Sequence, residues 1–365
     1  MPKSERKIGL DILRIFSMLG IIGLHLIGQG GLLANLSLND SRFFIILFVY
    51  VICYLSVDIF GILSGFFSCK KNIVNYSRIF ELIFITFFYS VIVTVIFYFF
   101  NLYGYRTAGF KEIIVSLFPI LINEYWYVTC YVLLFFLIPY LNYLLHKLDK
   151  KNVKNLLIIL FILLSLLPNV FFQVDFFRVL NGYSPVWLVY CYLLGGYIGK
   201  YGLKIKSLYK CLFYFFICIV CAFLLNIIVR IVTFKVYGQV FHDSWFINYI
   251  SPFILIGSIL SVFIFSKINF NNFKFTKFIP FLSTCSFAVY VIHTNYLVYN
   301  FFIKNIMLFS IKHNIVYILI SFFAILFIVY FVCSIIEYFR IKIFELLKIN
   351  FLIKLIGNKV NKFLN

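Results

Sequence analysis

Three ionisable side chains, Asp11, Arg14 and His25, stand in the first apolar stretch of the chain, LDILRIFSMLGIIGLH, residues 10–25. Hydrocarbon rejects such groups: each charge costs about 2.5–3.5 kcal/mol at a helix centre on the insertion scale, and less near the ends. Their spacing is ordered. At 100° per residue, the steps from Arg14 to His25 overshoot three full turns by about 20°, so the two share a face ~16 Å apart along the axis. Asp11 precedes Arg14 by three residues, within ion-pair reach on that face. One stripe therefore runs acid, base, imidazole. Residues of this kind inside a membrane segment normally face a protein-lined or wet cavity and mark a functional path. A plainer reading also fits, with Asp11–Arg14 reaching towards the interface and His25 bonded to a neighbouring helix. The stripe by itself names no reaction.

Two further clusters carry polar groups into apolar surroundings. In SVDIFGILSGFF, residues 56–67, Asp58, Gly61 and Gly65 fall on one helical face, and the glycines form a GxxxG. Close helix contact explains the glycines but not an acid midway through the segment. Ser64 reads as a small packing residue or as a hydrogen-bond donor into a cavity. In SFAVYVIHTNY, residues 286–296, His293 lies mid-segment at a depth approaching that of His25. A lone buried histidine is often only packed; two at similar depth point to a shared cavity.

The elements that must position these residues are helices in a membrane. Hydrophobic residues make up 64% of the 365-residue chain and charged residues 12%, and the mean hydropathy is +1.05. A soluble domain is about half apolar and a quarter charged. Apolar segments fall at 8–30, 43–67, 79–100, 124–146, 155–173, 184–203, 208–229, 246–266, 280–303 and 315–339. The expected fold is an all-α polytopic membrane protein of about ten transmembrane helices. The net charge of +20 then has a topological source, because one set of alternate loops and ends holds 23 cations and the other 8, with Arg14 inside the first span. The positive-inside rule places the richer set, and both termini, in the cytoplasm. Nucleic acid is not needed to explain the basicity. The nine cysteines lie mostly inside apolar segments. Cys218 and Cys221 form a CxxC there, without the turn or polar setting that zinc or redox motifs use, and no metal is expected. Asp11 and Arg14 interrupt the apolar run that a cleaved signal peptide would need. The segment GFKEIIVSLFPIL, in the loop 101–123, suits a re-entrant or interfacial element. Residues 1–340 form the expected transmembrane domain. Residues 341–365, apolar but punctuated by lysines, read as a basic amphipathic tail on the anionic inner leaflet. No feature specifies an oligomeric state.

Several motifs, in order, resemble the acyltransferase-3 family of integral membrane acyltransferases that O-acetylate extracytoplasmic carbohydrates. LDILRIFSMLGIIGLH is similar to its first-helix signature, an Arg and a His separated by ten residues after an Asp. VDIFGILSGFF resembles its second-helix pattern, with Gly61 where an aromatic is more usual. WYVTCYVLLFFLIPYLN, residues 126–142, is similar to its WYL…P helix, and YCYLLGGYIGK and SFAVYVIH to later helices. Where the family often holds Arg-x-x-Arg after the second helix, this chain has CKKNIVNYSR, with Lys70, Lys71 and Arg78. The resemblance implies cytoplasmic acetyl-CoA as donor and an outer carbohydrate hydroxyl as acceptor. It implies His25 as general base, Arg14 on the CoA phosphates or pantetheine carbonyls, and Asp11 orienting Arg14. Lys70, Lys71 and Arg78 would add donor contacts, while Asp58, Ser64, Trp126, Tyr127 and His293 would line the acceptor cavity. Family members with a fused outer esterase-like domain exist, and this chain is expected to lack one. The competing readings are a multispan transporter of a glycan or lipid precursor, and a scaffold for polysaccharide assembly. The first should show internal symmetry and paired helix breaks, which the sequence does not; the second leaves Arg14 and His25 unexplained.

Overall fold

The computed structural model describes residues 7–364 apart from 71–73, 103, 105–110, 172, 204, 206 and 269–276. Within them the chain is helical, with no strand among the described residues. In hydrocarbon every backbone N–H and C=O needs an internal partner, and a helix supplies one from its own segment. Seven helices are long and apolar enough to cross a membrane. They are α1 (Ile8–Ile27), α2 (Ser41–Ser68), α3 (Ser77–Phe99), α5 (Trp126–Lys147), the run Lys150–Val170, α9 (Leu208–Tyr237) and α13 (Ile315–Leu346). The short α4 (Lys111–Ser116) precedes α5. The run Lys150–Val170 is α6 (Lys150–Phe161), a π-helical turn and α7 (Leu167–Val170). Two expected spans are helices below that length, α8 (Pro185–Tyr201, 17 residues) and α10 (Pro252–Lys267, 16 residues).

The ninth expected span, 280–303, is not one helix. It breaks at Asn295 into α11 (Ile279–Thr294) and a second arm, α12 (Tyr296–Val298) followed by a π-helical turn over Tyr299–Ile303. The arms meet at 63°, and counting the pair as one span raises the total to eight, short of the ten expected. Asn295 makes the break because its extended backbone (ψ 133°) leaves the helix while its side chain accepts from Leu297 N at 3.1 Å. Such side-chain caps, which satisfy orphan N–H groups, mark other helix starts: Asp40 for α2, Ser184 for α8, Ser207 for α9 and Asn314 for α13.

α1 is central. It packs against α2, α10, α11 and α13, and 67% of its apolar window is buried, against 22% for α9 and 28% for α13. The glycines of α2 do what GxxxG suggests: a Cβ on Gly65 would lie 1.9 Å from the Tyr192 carbonyl of α8, and one on Gly195 of α8 1.9 Å from that of Ile62. The start of α1 lies beside the end of α2, with the Lys7 ammonium 5.3 Å from the Phe66 ring.

The expected tail boundary at 341 falls inside α13, which continues to Leu346 before α14 (Ile349–Leu364). α14 returns to the start of α3, where Asn361 Oδ1 accepts from Tyr76 N at 2.8 Å. Arg340, counted from sequence among the loop cations, is instead buried. It donates to both oxygens of Glu337 at 2.8 and 2.7 Å, and Tyr89 of α3 donates to the same carboxylate at 2.7 Å. The loop cations Lys3, Arg6, Lys71, Arg106, Lys204, Lys206 and Lys274 lie outside the described residues.

Candidate active site

The polar stripe of α1 faces α11 at both ends. Towards the start of α1, Ser283 of α11 donates to Asp11 Oδ1 at 2.8 Å and accepts from Arg14 Nη1 at 3.2 Å. Arg14 and Asp11 are themselves 3.6 Å apart. Asp11 is buried, whereas the Arg14 side chain is 30% exposed, its guanidinium 5.6 Å from the Phe67 ring. Arg14 is thus held by an acid and a hydroxyl while its side chain stays partly exposed.

Towards the other end of α1, His25 Nδ1 lies 3.1 Å from His293 Nε2. His293 is fully buried, and its Nδ1 lies 2.6 Å from the carbonyl of Val289, one turn back on α11. Tyr299, beyond the break at Asn295, meets the His25 ring edge-on at 5.4 Å.

His25 opens on a cavity of about 290 Å³ whose walls include Glu124, Trp126, Tyr127, Tyr249, Tyr290 and Tyr299. Rings support rings here. Trp126 stacks on Tyr249 at 6.1 Å and leans on Tyr183 at 4.6 Å, and Tyr127 meets Tyr290 edge-on at 6.0 Å. At the mouth, Glu124 Oε1 accepts from Asn295 Nδ2 at 3.2 Å and from Tyr296 N at 3.3 Å, and Oε2 from Ser90 at 3.2 Å. Asn295 also donates to Tyr125 Oη at 2.9 Å. The side chain that breaks α11 therefore pins the break to the approach of α5.

Sequence-expected residues divide accordingly. His25, Trp126 and Tyr127 share the cavity, with His293 directly behind His25. Asp11 and Arg14 form a separate group nearer the start of α1. Asp58 does not line the cavity: it is fully buried between α2 and α8, Oδ1 accepting from Trp187 Nε1 at 2.8 Å, and Oδ2 without a partner among the described residues. It is an interhelical contact, as its position on the GxxxG face makes possible. Ser64 donates to the Phe60 carbonyl of its own helix at 2.9 Å. Lys70 and Arg78 are exposed at the end of α2 and the start of α3, and Lys71 lies outside the described residues. Glu124, Ser283 and the tyrosines 249, 290, 296 and 299 escaped the sequence reading. Glu124, an acid two residues before the WY pair, was the one with a local signal. Among the described residues no group of three His, Cys, Asp or Glu is placed to hold a metal, and the nine cysteines are free.

An imidazole in an aromatic chamber, with a guanidinium further along the same helix, is equipped to take a proton from one reactant while an anionic second reactant is held apart. The chain matches the family model for an acyltransferase domain, Acyl_transf_3, over residues 7–338. No curated protein and no solved structure matches it. The matched stretch takes in α1 and both arms of the broken span, so the whole chamber lies within it, and the chain belongs to the acyltransferase-3 family.

Proposed function

We propose that this membrane protein is an O-acetyltransferase that moves an acetyl group from cytoplasmic acetyl-CoA to a hydroxyl of an extracytoplasmic polysaccharide or lipid-linked glycan, in the plasma membrane. The observation that carries the reading is His25 opening on an aromatic chamber while Arg14 stands on the same rigid helix towards its other end. The chamber suits a sugar. Pyranose faces are apolar and stack on aromatic rings, while the ring edge carries hydroxyls that phenol and carboxylate groups can bond. At about 290 Å³ its volume lies at the lower end of the range of small-ligand clefts.

In the proposed reaction His25 takes the proton of the acceptor hydroxyl as its oxygen attacks the thioester carbonyl. The C–S bond breaks, and the proton passes to the departing thiolate, giving the ester and free CoA thiol. Arg14, oriented by Asp11 and Ser283, holds phosphate or pantetheine oxygens of the donor through its planar fork. Lys7, Lys70 and Arg78 add positive charge at that end, and Lys71, next in sequence to Lys70, is proposed as a further donor contact.

The test is to incubate membranes carrying the protein with labelled acetyl-CoA and follow label into glycan. The native protein should transfer it, and His25→Ala, inserted in equal amount, should lose at least about a hundredfold, the scale of a general base. Undiminished transfer by His25→Ala would remove the proposed base. Absence of any label in glycan, or an unchanged acyl signal in proton NMR of the host polysaccharide after gene deletion, would return the reading to transport.

A further inference from the structure

The contact between the two histidines has a direction. A carbonyl oxygen can only accept, so the 2.6 Å approach of His293 Nδ1 to Val289 O requires the proton of His293 on Nδ1. Neutral His293 then offers a lone pair at Nε2. His25 Nδ1, 3.1 Å away, must donate to it. A neutral His25 with its proton on Nδ1 has a bare Nε2, the atom a general base needs.

We propose that His293 is a positioning residue, holding His25 in the Nδ1–H tautomer and ring orientation that leave Nε2 free to accept the acceptor's proton. This inference rests on His25 being the base. The chain of contacts, backbone carbonyl to His293 to His25, has the logic of a hydrolase triad with a neutral imidazole where an acid usually stands. Neutrality is the physical gain: an ionised acid within the membrane carries a desolvation cost that a neutral ring avoids. When His25 accepts the proton, its Nδ1–H still points at His293, so the new cation keeps its hydrogen bond. The geometry is preset, because His293 is fully buried on α11 and Tyr299 buttresses the His25 ring edge-on at 5.4 Å.

Three substitutions test this in membranes supplied with labelled acetyl-CoA and their own glycan, with rates normalised to inserted protein and His25→Ala as the reference. His293→Gln can present an amide oxygen to His25 Nδ1–H, and should stay within about tenfold of the native rate. His293→Leu offers no acceptor and His293→Lys only donors; both should fall about a hundredfold or more. The KM for acetyl-CoA should not move in any of them, since the Arg14 group is untouched. If His293 only packs, leucine is the better replacement, so activity in His293→Leu equal to or above that of His293→Gln would overturn the proposal. So would activity in His293→Lys, or a loss in His293→Gln as deep as that in His293→Lys. Should the leucine variant fail to accumulate, the Gln and Lys pair, both polar and flexible, decides. Activity in His25→Ala would instead overturn the choice of base.

Discussion

Arg14 is held on three sides, by Ser283 Oγ at 3.2 Å, Asp11 at 3.6 Å and the Phe67 ring at 5.6 Å. A lysine could meet the acid or the hydroxyl but would lose the planar fork that spans both and that the proposed donor contact uses. Arg14→Lys should therefore raise the KM for acetyl-CoA by on the order of tenfold while leaving the rate at saturating donor within a few-fold, because His25 is not disturbed. Initial rates against donor concentration check this; a large fall at saturation with an unchanged KM would contradict donor binding. The stripe of Asp11, Arg14 and His25 was legible because helical phase is a local property. Of their partners, the depth of His293 pointed to a cavity shared with His25, while Ser283 gave no signal. Ser283 and His293 are joined to α1 only by the packing of segments some 270 positions apart. Asp58 shows the converse, for an acid in an apolar segment signals a polar partner without saying which. Its partner is the indole of Trp187 rather than the chamber.

At the scale of elements, the glycines of α2 and α8 let two backbones approach until a single added carbon has no room. Gly65→Ala would place Cβ 1.9 Å from the Tyr192 carbonyl. The obstacle is backbone on a rigid helix, so the helices must separate, at about 1–3 kcal/mol of overpacking. Thermal unfolding in detergent should show the loss, with reduced transfer following from the displaced helix. GxxxG spacing made this contact readable, and runs of Leu, Ile and Phe made the helices readable. The break at Asn295 was hidden. In sequence it is the last of three polar residues, His293 to Asn295, in a long apolar run, and the bonds of its side chain to Tyr125 and Glu124 add to its cap on Leu297 N in fixing where the helix stops.

At the scale of the whole molecule, distant segments are fastened by buried polar ties. Arg340 and Glu337 of α13 form a pair whose side chains are only 6% and 4% exposed, and Tyr89 of α3 completes it. Breaking one member of such a pair leaves the other charge uncompensated, at about 3–5 kcal/mol. Glu337→Gln should lower the unfolding temperature in detergent by several degrees without altering the KM for acetyl-CoA. The double substitution Glu337→Gln with Arg340→Met should recover much of that loss; no loss in the single variant would show the tie to be dispensable.

The hinge at Asn295 has a consequence for how such an enzyme diverges. Before it stands His293, in contact with His25; after it stand Tyr296 and Tyr299, which line the chamber. In a straight helix these positions would share one register, and any change of wall would tilt the histidine. A 63° joint separates them. The second arm can change its side chains while the first keeps its alignment with α1, so this wall of the chamber can be reshaped without disturbing the contact between the two histidines.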